Sequence, residues 1–200
     1  MNYELPYVAT FKKVSFTQFK KDVLNLFEDY FTTAYTNEAE LDKQLLLIYN
    51  DIKIPTRSTT GAAGYDFYLP FTVPLKKSDN YVKIPTGIKC EIEDGYVLIL
   101  APRSSAGIKS GVKLRNTIGI IDSDYYNNKS NEGHILLACT SDSYPLAESK
   151  SFNSEYFFST TFEKDVRIVQ GMLLPYFVAT NDKYNDDLKI REGGTGSTGI

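Results

Sequence analysis

Residues 89–100 read Lys89-Cys90-Glu91-Ile92-Glu93-Asp94-Gly95-Tyr96-Val97-Leu98-Ile99-Leu100. Two apolar runs flank an Asp-Gly pair, the dipeptide that tolerates the positive backbone angles of a tight hairpin turn. The stretch therefore predicts two antiparallel strands joined as a hairpin. Outward from it, runs of the same kind occur at 65–69, 81–84, 135–140, 156–162 and 172–178, each short and bounded by turn residues. Short strands at near-regular spacing predict an all-β sandwich or barrel rather than alternating βαβ units. The 15 Tyr and 12 Phe support that bias, since aromatic side chains suit a pleated, half-buried surface.

The first fifty residues follow another period. After a short strand over 7–14, Ser15 precedes Gln18 in a capping-box pattern. Phe16, Phe19, Val23, Leu26, Phe27 and Tyr30 then recur at helical spacing. Asn37 with Glu40 repeats the cap signal, and Leu41, Leu45 and Ile48 mark a second helical face. A helical hairpin over 15–50 is expected to lay its apolar stripe on this chain's own sheet.

Composition narrows the chemistry. The formal net charge of −3 argues against wholesale binding to a nucleic-acid backbone. No apolar run approaches the roughly 20 residues that span a bilayer, and the start, Met1-Asn2-Tyr3-Glu4-Leu5, lacks a signal-peptide pattern. Cys90 and Cys139 are too few for a disulfide framework and fit a reducing cytoplasm, as core thiols in apolar strands. A single histidine, His134, removes two-His metal motifs and is expected at the surface or rim. The chemistry must rest on Asp, Arg, Ser and Gly.

Five short strings carry such residues. Gly61-Ala62-Ala63-Gly64-Tyr65-Asp66 is by itself a Gly-rich turn entering a strand. Ala101-Pro102-Arg103-Ser104-Ser105-Ala106-Gly107 ends a strong strand, where Arg, small hydroxyls and freed backbone N–H groups suit phosphate oxygens, although plain turns also read this way. Residues 116–126 hold Asn116, Gly119, Ile120, Ile121, Asp122, Asp124 and Tyr125; the two carboxylates lack the glycine and terminal glutamate of an EF-hand. Arg167-Ile168-Val169-Gln170 reads as one more strand. Residues 191–200, with Arg191, Gly196, Ser197 and Thr198, have the composition of a flexible tail, yet glycines interleaved with hydroxyls can also wrap an anion. They are not a P-loop, because no Lys precedes the Ser-Thr pair.

In that order and spacing, the strings resemble the five motifs of the trimeric deoxyuridine triphosphatase (dUTPase) family, over about residue 53 to the C-terminus. The resemblance implies a jelly-roll-like β-barrel, here with an inserted N-terminal helical hairpin. The whole chain, 1–200, is then a single domain with a hairpin insertion at 15–50, an extended loop/strand insertion at 126–162 and a C-terminal arm at 191–200. It implies hydrolysis of dUTP to dUMP and pyrophosphate in a homotrimer whose active sites lie between subunits. Asp122 would hold and deprotonate the attacking water, which is typically worth about 10²–10⁴-fold. Arg103, Ser104, Ser105 and Gln170 would hold the phosphates, joined from the arm by Arg191, Gly196, Ser197 and Thr198. Asp66, with Arg167, would support this cluster by orienting Arg103 or metal-bound water. Mg²⁺ would be held by the triphosphate and water, with no direct protein ligand. Asn116 and the backbone around Gly119, Ile120 and Ile121 would read uracil, and Tyr125 would pack under the deoxyribose and exclude a 2′-hydroxyl.

The chain departs from the family pattern where Thr195 replaces an arm aromatic and where Arg191 lies one residue nearer the Gly-Ser-Thr end. Asp122 and Arg167 are also further apart than usual, with extra length near 127–132 and 144–161. Such insertions resemble phage and bacterial members, which implies the cytoplasm of a bacterium or a phage-infected host. Two other readings stand beside hydrolysis. One is a dCTP deaminase-like enzyme of the same fold. The other is a nucleotide-gated protein that grips a regulatory partner through its insertions. No nucleic-acid or membrane partner is expected.

Overall fold

The computed structural model describes residues 5–35, 37–76, 81–141 and 158–184. Twelve strands are assigned there: β1 (Ala9–Lys13), β2 (Thr56–Arg57), β3 (Tyr65–Tyr68), β4 (Val73–Lys76), β5 (Val82–Pro85), β6 (Ile88–Ile92), β7 (Tyr96–Pro102), β8 (Val112–Leu114), β9 (Gly119–Ile121), β10 (Leu136–Ser141), β11 (Phe158–Phe162) and β12 (Arg167–Pro175). Three α-helices accompany them: α1 (Phe16–Ala34), α2 (Glu38–Asn50) and α3 (Ser104–Ser110). The strands form antiparallel groups β1-β6, β5-β10-β8, β11-β4 and β2-β3-β12-β7-β9. Neighbours in these sheets are mostly distant in sequence, an order consistent with a jelly-roll-like β fold. No helix of the described residues is long and apolar enough to cross a membrane.

The Asp94-Gly95 turn corrects the hairpin expectation. β6 pairs with β1, through Phe11↔Cys90 and its neighbours, whereas β7 lies between β12 and β9. With both edges of β7 occupied, no edge is left for β6. Asp94-Gly95 is thus a corner between sheets, with Gly95 at φ +87°. The Gly95 carbonyl accepts from the Tyr176 amide at 2.9 Å, so the chain leaving β12 pins the corner.

The five-stranded sheet supports the candidate site. Along β7, Leu98 and Leu100 point into the core while Val97, Ile99 and Ala101 are half-buried on the other face, the period-2 pattern of its sequence. Gly171 on β12 has a packing reason to be glycine: a Cβ there would lie 2.8 Å from Leu98 Cδ1 and 3.1 Å from Phe67 Cε2. Arg167–Gln170 and the run from Met172 are one strand, not two, and it stops at Pro175, leaving Phe177 exposed.

The two helices pack on the chain's own core. Phe19, Val23, Phe27 and Phe31 of α1 and Leu41 and Leu45 of α2 belong to the same buried cluster as Phe67, Phe71 and Ile84. α1 bends at Phe27 (φ −136°, ψ 27°), and the rings of Phe27 and Phe31 both meet Phe71 edge-on. Ser15 caps α1 by accepting from the Gln18 amide at 3.1 Å. The reciprocal half of the capping box comes from elsewhere in the chain: Glu132 accepts from the Ser15 amide at 2.9 Å and from its hydroxyl at 2.6 Å. Gln18 turns instead to Asp22. Asn37 caps α2 by accepting from the Ala39 amide.

His134 corrects a second expectation: it is 0% exposed. Its Nε2 accepts from the Gly87 amide at 2.7 Å, so the proton sits on Nδ1, which donates to Asp22 Oδ2 at 2.5 Å. Burial pushes the Asp22 carboxyl up, but the hydrogen bonds from His134 and Gln18 outweigh it and hold the group below its ordinary value. Cys90 and Cys139 are buried free thiols, and burial raises both to about 12.

Candidate functional site

Asp66 lies on β3, opposite Thr56 of β2 and Gln170 of β12, with its side chain 4% exposed. A carboxylate this buried needs partners on both oxygens. Oδ1 accepts from Arg103 Nε at 2.7 Å, while Oδ2 accepts from Arg167 Nη1 at 3.0 Å and from the Ser58 hydroxyl at 2.7 Å. Arg103 leaves the end of β7 with its amide donating to the Ile168 carbonyl, and Arg167 opens β12 beside it. One buried carboxylate thereby holds two partly exposed guanidinium groups side by side. Gln170 is adjacent, and its Oε1 fills the space a Cβ at Gly64 would need, 2.6 Å from the ideal position. Glycine at 64 is what lets that amide lie over the turn into β3.

Past Arg103 the chain turns directly into α3, where the sequence suggested only a turn. Seven residues with a left-handed Gly111 at the C-terminal end (φ 58°) make this short helix, and Ser104 and Ser105 are exposed in its first turn. Ser58 is the residue that the sequence reading missed. Its Oγ donates to Asp66 and accepts from Arg167 Nη1 at 3.3 Å. A Ser among the turn residues 58–61 carries no signal of its own; only the β2–β3 register, Thr56↔Asp66 and Arg57↔Tyr65, brings it to the carboxylate.

The segment from Asn116 to Tyr125 forms a second cluster. Asn116 is exposed in the turn before β9, where Thr117 adopts φ +66° and the Ile118 amide donates to the Asn116 carbonyl. β9 is an edge strand of its sheet among the described residues, so one side of Gly119, Ile120 and Ile121 carries no neighbouring strand. Gly119 is buried against Leu100, where a Cβ would approach Leu100 Cβ to 3.0 Å, while Ile120 is exposed. Half-buried Asp122 then precedes a 3₁₀ turn, Ser123–Tyr125. Tyr125 is buried, and its hydroxyl donates to the His134 carbonyl at 2.9 Å.

Register separates Asp122 from the Asp66 cluster within one chain. Ile121 pairs with Leu98, which places Asp122 near the start of β7, and Ser123 Oγ donates to Asp94 just before that strand. Arg103 follows the opposite end of β7. At a rise of about 3.4 Å per residue, the strand length between them is roughly 20 Å. Asp66, Arg103, Arg167 and Gln170 are brought together; Asp122 and Tyr125 lie beyond the other end of the β7–β9 pairing, whereas Asn116 precedes Gly119, which pairs with Leu100 toward the Arg103 end. Arg191, Gly196, Ser197 and Thr198 lie outside the described residues.

A buried carboxylate holding two partly exposed arginines beside the exposed Ser104 and Ser105 of α3 is an arrangement whose donors suit phosphate oxygens. The sequence matches the dUTPase family over residues 50–130. It is 40% identical over 148 residues to the deoxyuridine 5′-triphosphate nucleotidohydrolase of Lactococcus lactis, covering 74% of this chain and 89% of that protein. To the protein of the same name from Hahella chejuensis it is 32% identical over 165 residues, covering 80% and 93%. The crystal structure of the dUTPase from Streptococcus mutans is similar at a TM-score of 0.50 with 34% identity, covering 63% of this chain and 88% of that one. The chain belongs to the dUTPase family.

Proposed function

We propose that this chain hydrolyses dUTP to dUMP and pyrophosphate by in-line attack of water on the α-phosphorus. Membership of the family supports the substrate, and the Asp66 clamp is the observation that carries the chemistry. Two guanidiniums held by one buried carboxylate cost little to reorganise when negative charge builds on the phosphate chain. Asp122 takes the proton of the attacking water as its oxygen bonds to the α-phosphorus, while the bond to the bridging oxygen breaks and pyrophosphate leaves. Arg103, Ser104, Ser105 and Gln170 hold the phosphates, and Arg191, Gly196, Ser197 and Thr198 close over them. Asn116 and the backbone of Gly119–Ile121 read the uracil, and the Tyr125 ring supports the sugar.

Mg²⁺ belongs to this proposal as an ion carried in by the triphosphate, where it neutralises phosphate oxygens. No group of three His, Cys, Asp or Glu capable of holding a metal occurs among the described residues, and both Asp66 oxygens are engaged by protein. Asp66 therefore aims the arginines.

The separation of Asp122 from Arg103 supports a site assembled between copies of the chain, in the family's homotrimer. The same proposal takes the chain as one closed jelly-roll barrel, with the hairpin at 15–50 and the segment 126–162 as insertions, working in the cytoplasm. Release of pyrophosphate from dUTP, UTP and dCTP, with ammonia measured in parallel, tests the reaction. Pyrophosphate from dUTP with Mg²⁺ is the expected result; ammonia from dCTP would overturn it in favour of a deaminase. Mixing separately inactive Asp122→Asn and Arg103→Ala chains tests the assembly. Activity should return on mixing under conditions that exchange subunits, and a mixture that stays inactive after exchange would refute a shared site.

A further inference from the structure

Tyr125 does not hold its own position. Its hydroxyl donates to the His134 carbonyl and accepts from Asn131 Nδ2 at 2.9 Å, and His134 is fixed in turn through both ring nitrogens. One nitrogen accepts from Gly87, between β5 and β6; the other donates to Asp22 on α1. A second path runs beside the first. Ser15 at the start of α1 gives its amide and hydroxyl to Glu132, whose carbonyl accepts from the Asn127 amide at 3.1 Å. Between the two paths, Gly133 (φ +78°) presses on the Tyr125 backbone so closely that a Cβ would lie 2.6 Å from the Tyr125 carbonyl oxygen. A shift of residues 132–134 therefore has to move residues 125–127, because nothing between them can give.

We infer that Asp22 and His134 are positioning residues for substrate selection, through which α1 sets the Tyr125 ring and with it the preference for a deoxyribose over a ribose triphosphate. The inference rests on the proposed dUTP reading, in which the Tyr125 ring lies against the sugar. Excluding one hydroxyl requires a ring held in a fixed position. The buried carboxylate–imidazole pair supplies that rigidity, since either ring nitrogen left unpaired inside the core would be costly.

The test compares kcat/KM for dUTP and for UTP, together with thermal stability, in the full-length chain and three variants. The wild type should prefer dUTP; absence of that preference would defeat the underlying reading rather than this inference. Asp22→Ala, which strands the His134 Nδ1–H, should narrow the dUTP-over-UTP ratio by about tenfold, the scale of one buried hydrogen bond. Asp22→Asn keeps an acceptor oxygen and should restore most of the ratio. Tyr125→Phe keeps the ring but cuts its bond to His134, so it should narrow the ratio as well, and it serves where Asp22→Ala does not fold. A folded Asp22→Ala or Tyr125→Phe protein with a lower melting temperature and an unchanged ratio would show a merely structural network and overturn the inference.

Discussion

Replacing Asp66 with Asn keeps the shape of the side chain but removes its charge and turns one of its two acceptors into a donor facing a guanidinium or the Ser58 hydroxyl. At least one of the contacts at 2.7 and 3.0 Å to Arg103 and Arg167 is lost outright, and the other loses its ionic character. Charge-assisted hydrogen bonds contribute about 1.5–3 kcal/mol each. The arginine side chains are 24% and 39% exposed, so water compensates part of the loss and the lower bound applies to both. The expected cost is about 1.5–3 kcal/mol, which for a chain of this size lowers the melting temperature by about 3–12 °C. Activity should fall further than stability suggests, because guanidiniums released from the carboxylate no longer await the phosphate charge. A loss of about 10²-fold in kcat/KM is the scale of one missing preorganised donor. Thermal unfolding by circular dichroism and steady-state pyrophosphate release on the same preparation measure both. An Asp66→Asn protein melting within 2 °C of wild type, as an order-of-magnitude margin, and turning over normally would refute the reasoning.

Other expectations are simpler to state. Asp122→Asn should bind dUTP and lose about 10²-fold or more in turnover, as for a removed general base, and near-normal turnover would reassign the water-activating role. Asp22 is ionised and depressed in the fold, so its contribution is complete above its unfolded value near 3.8 and disappears as pH falls through the lower folded value. Asp22→Asn should thus flatten the acid limb of a stability-versus-pH curve below about pH 4, and an unchanged limb would remove Asp22 as a cause. With thiols raised to about 12, Cys90 and Cys139 should resist a disulfide reagent at pH 8 in the native protein and react once denatured; prompt labelling of the native protein would contradict their burial.

The legibility of this chain follows the range of the interactions involved. Strand β3, the β7 run and the caps at Ser15 and Asn37 are visible in sequence because alternation and capping act over a few residues. Asp94-Gly95 misleads for the same reason: a turn dipeptide reports a reversal of the backbone, not which strand occupies the edge afterwards. That is decided by β1 and β12, far away in sequence. The burial of His134 is not legible locally, because its partner Asp22 is 112 residues distant and no local pattern marks a histidine with both nitrogens engaged. Ser58 escaped notice through pairing register alone. Within the site, Asp66, Arg103, Arg167 and Gln170 each fall in a motif string, and pairing register and ion pairs bring them together. The arm at 191–200 lies outside the described residues.

The bond between Asp22 and His134 has a consequence for how the chain is made. A ribosome adding about 5–20 residues per second needs roughly 6–22 s to pass from one to the other. In the later part of that interval α2 and the Phe71 region exist for α1 to lean on, but the imidazole that will cover its carboxylate has not been synthesised. The helical pair can form early as a loose raft and cannot dock in final register until translation passes residue 134. Docking thus waits on a sequence tag at the far side of the future substrate-facing loop, so the N-terminal helices settle only around a chain that has already made Asp122 and Tyr125.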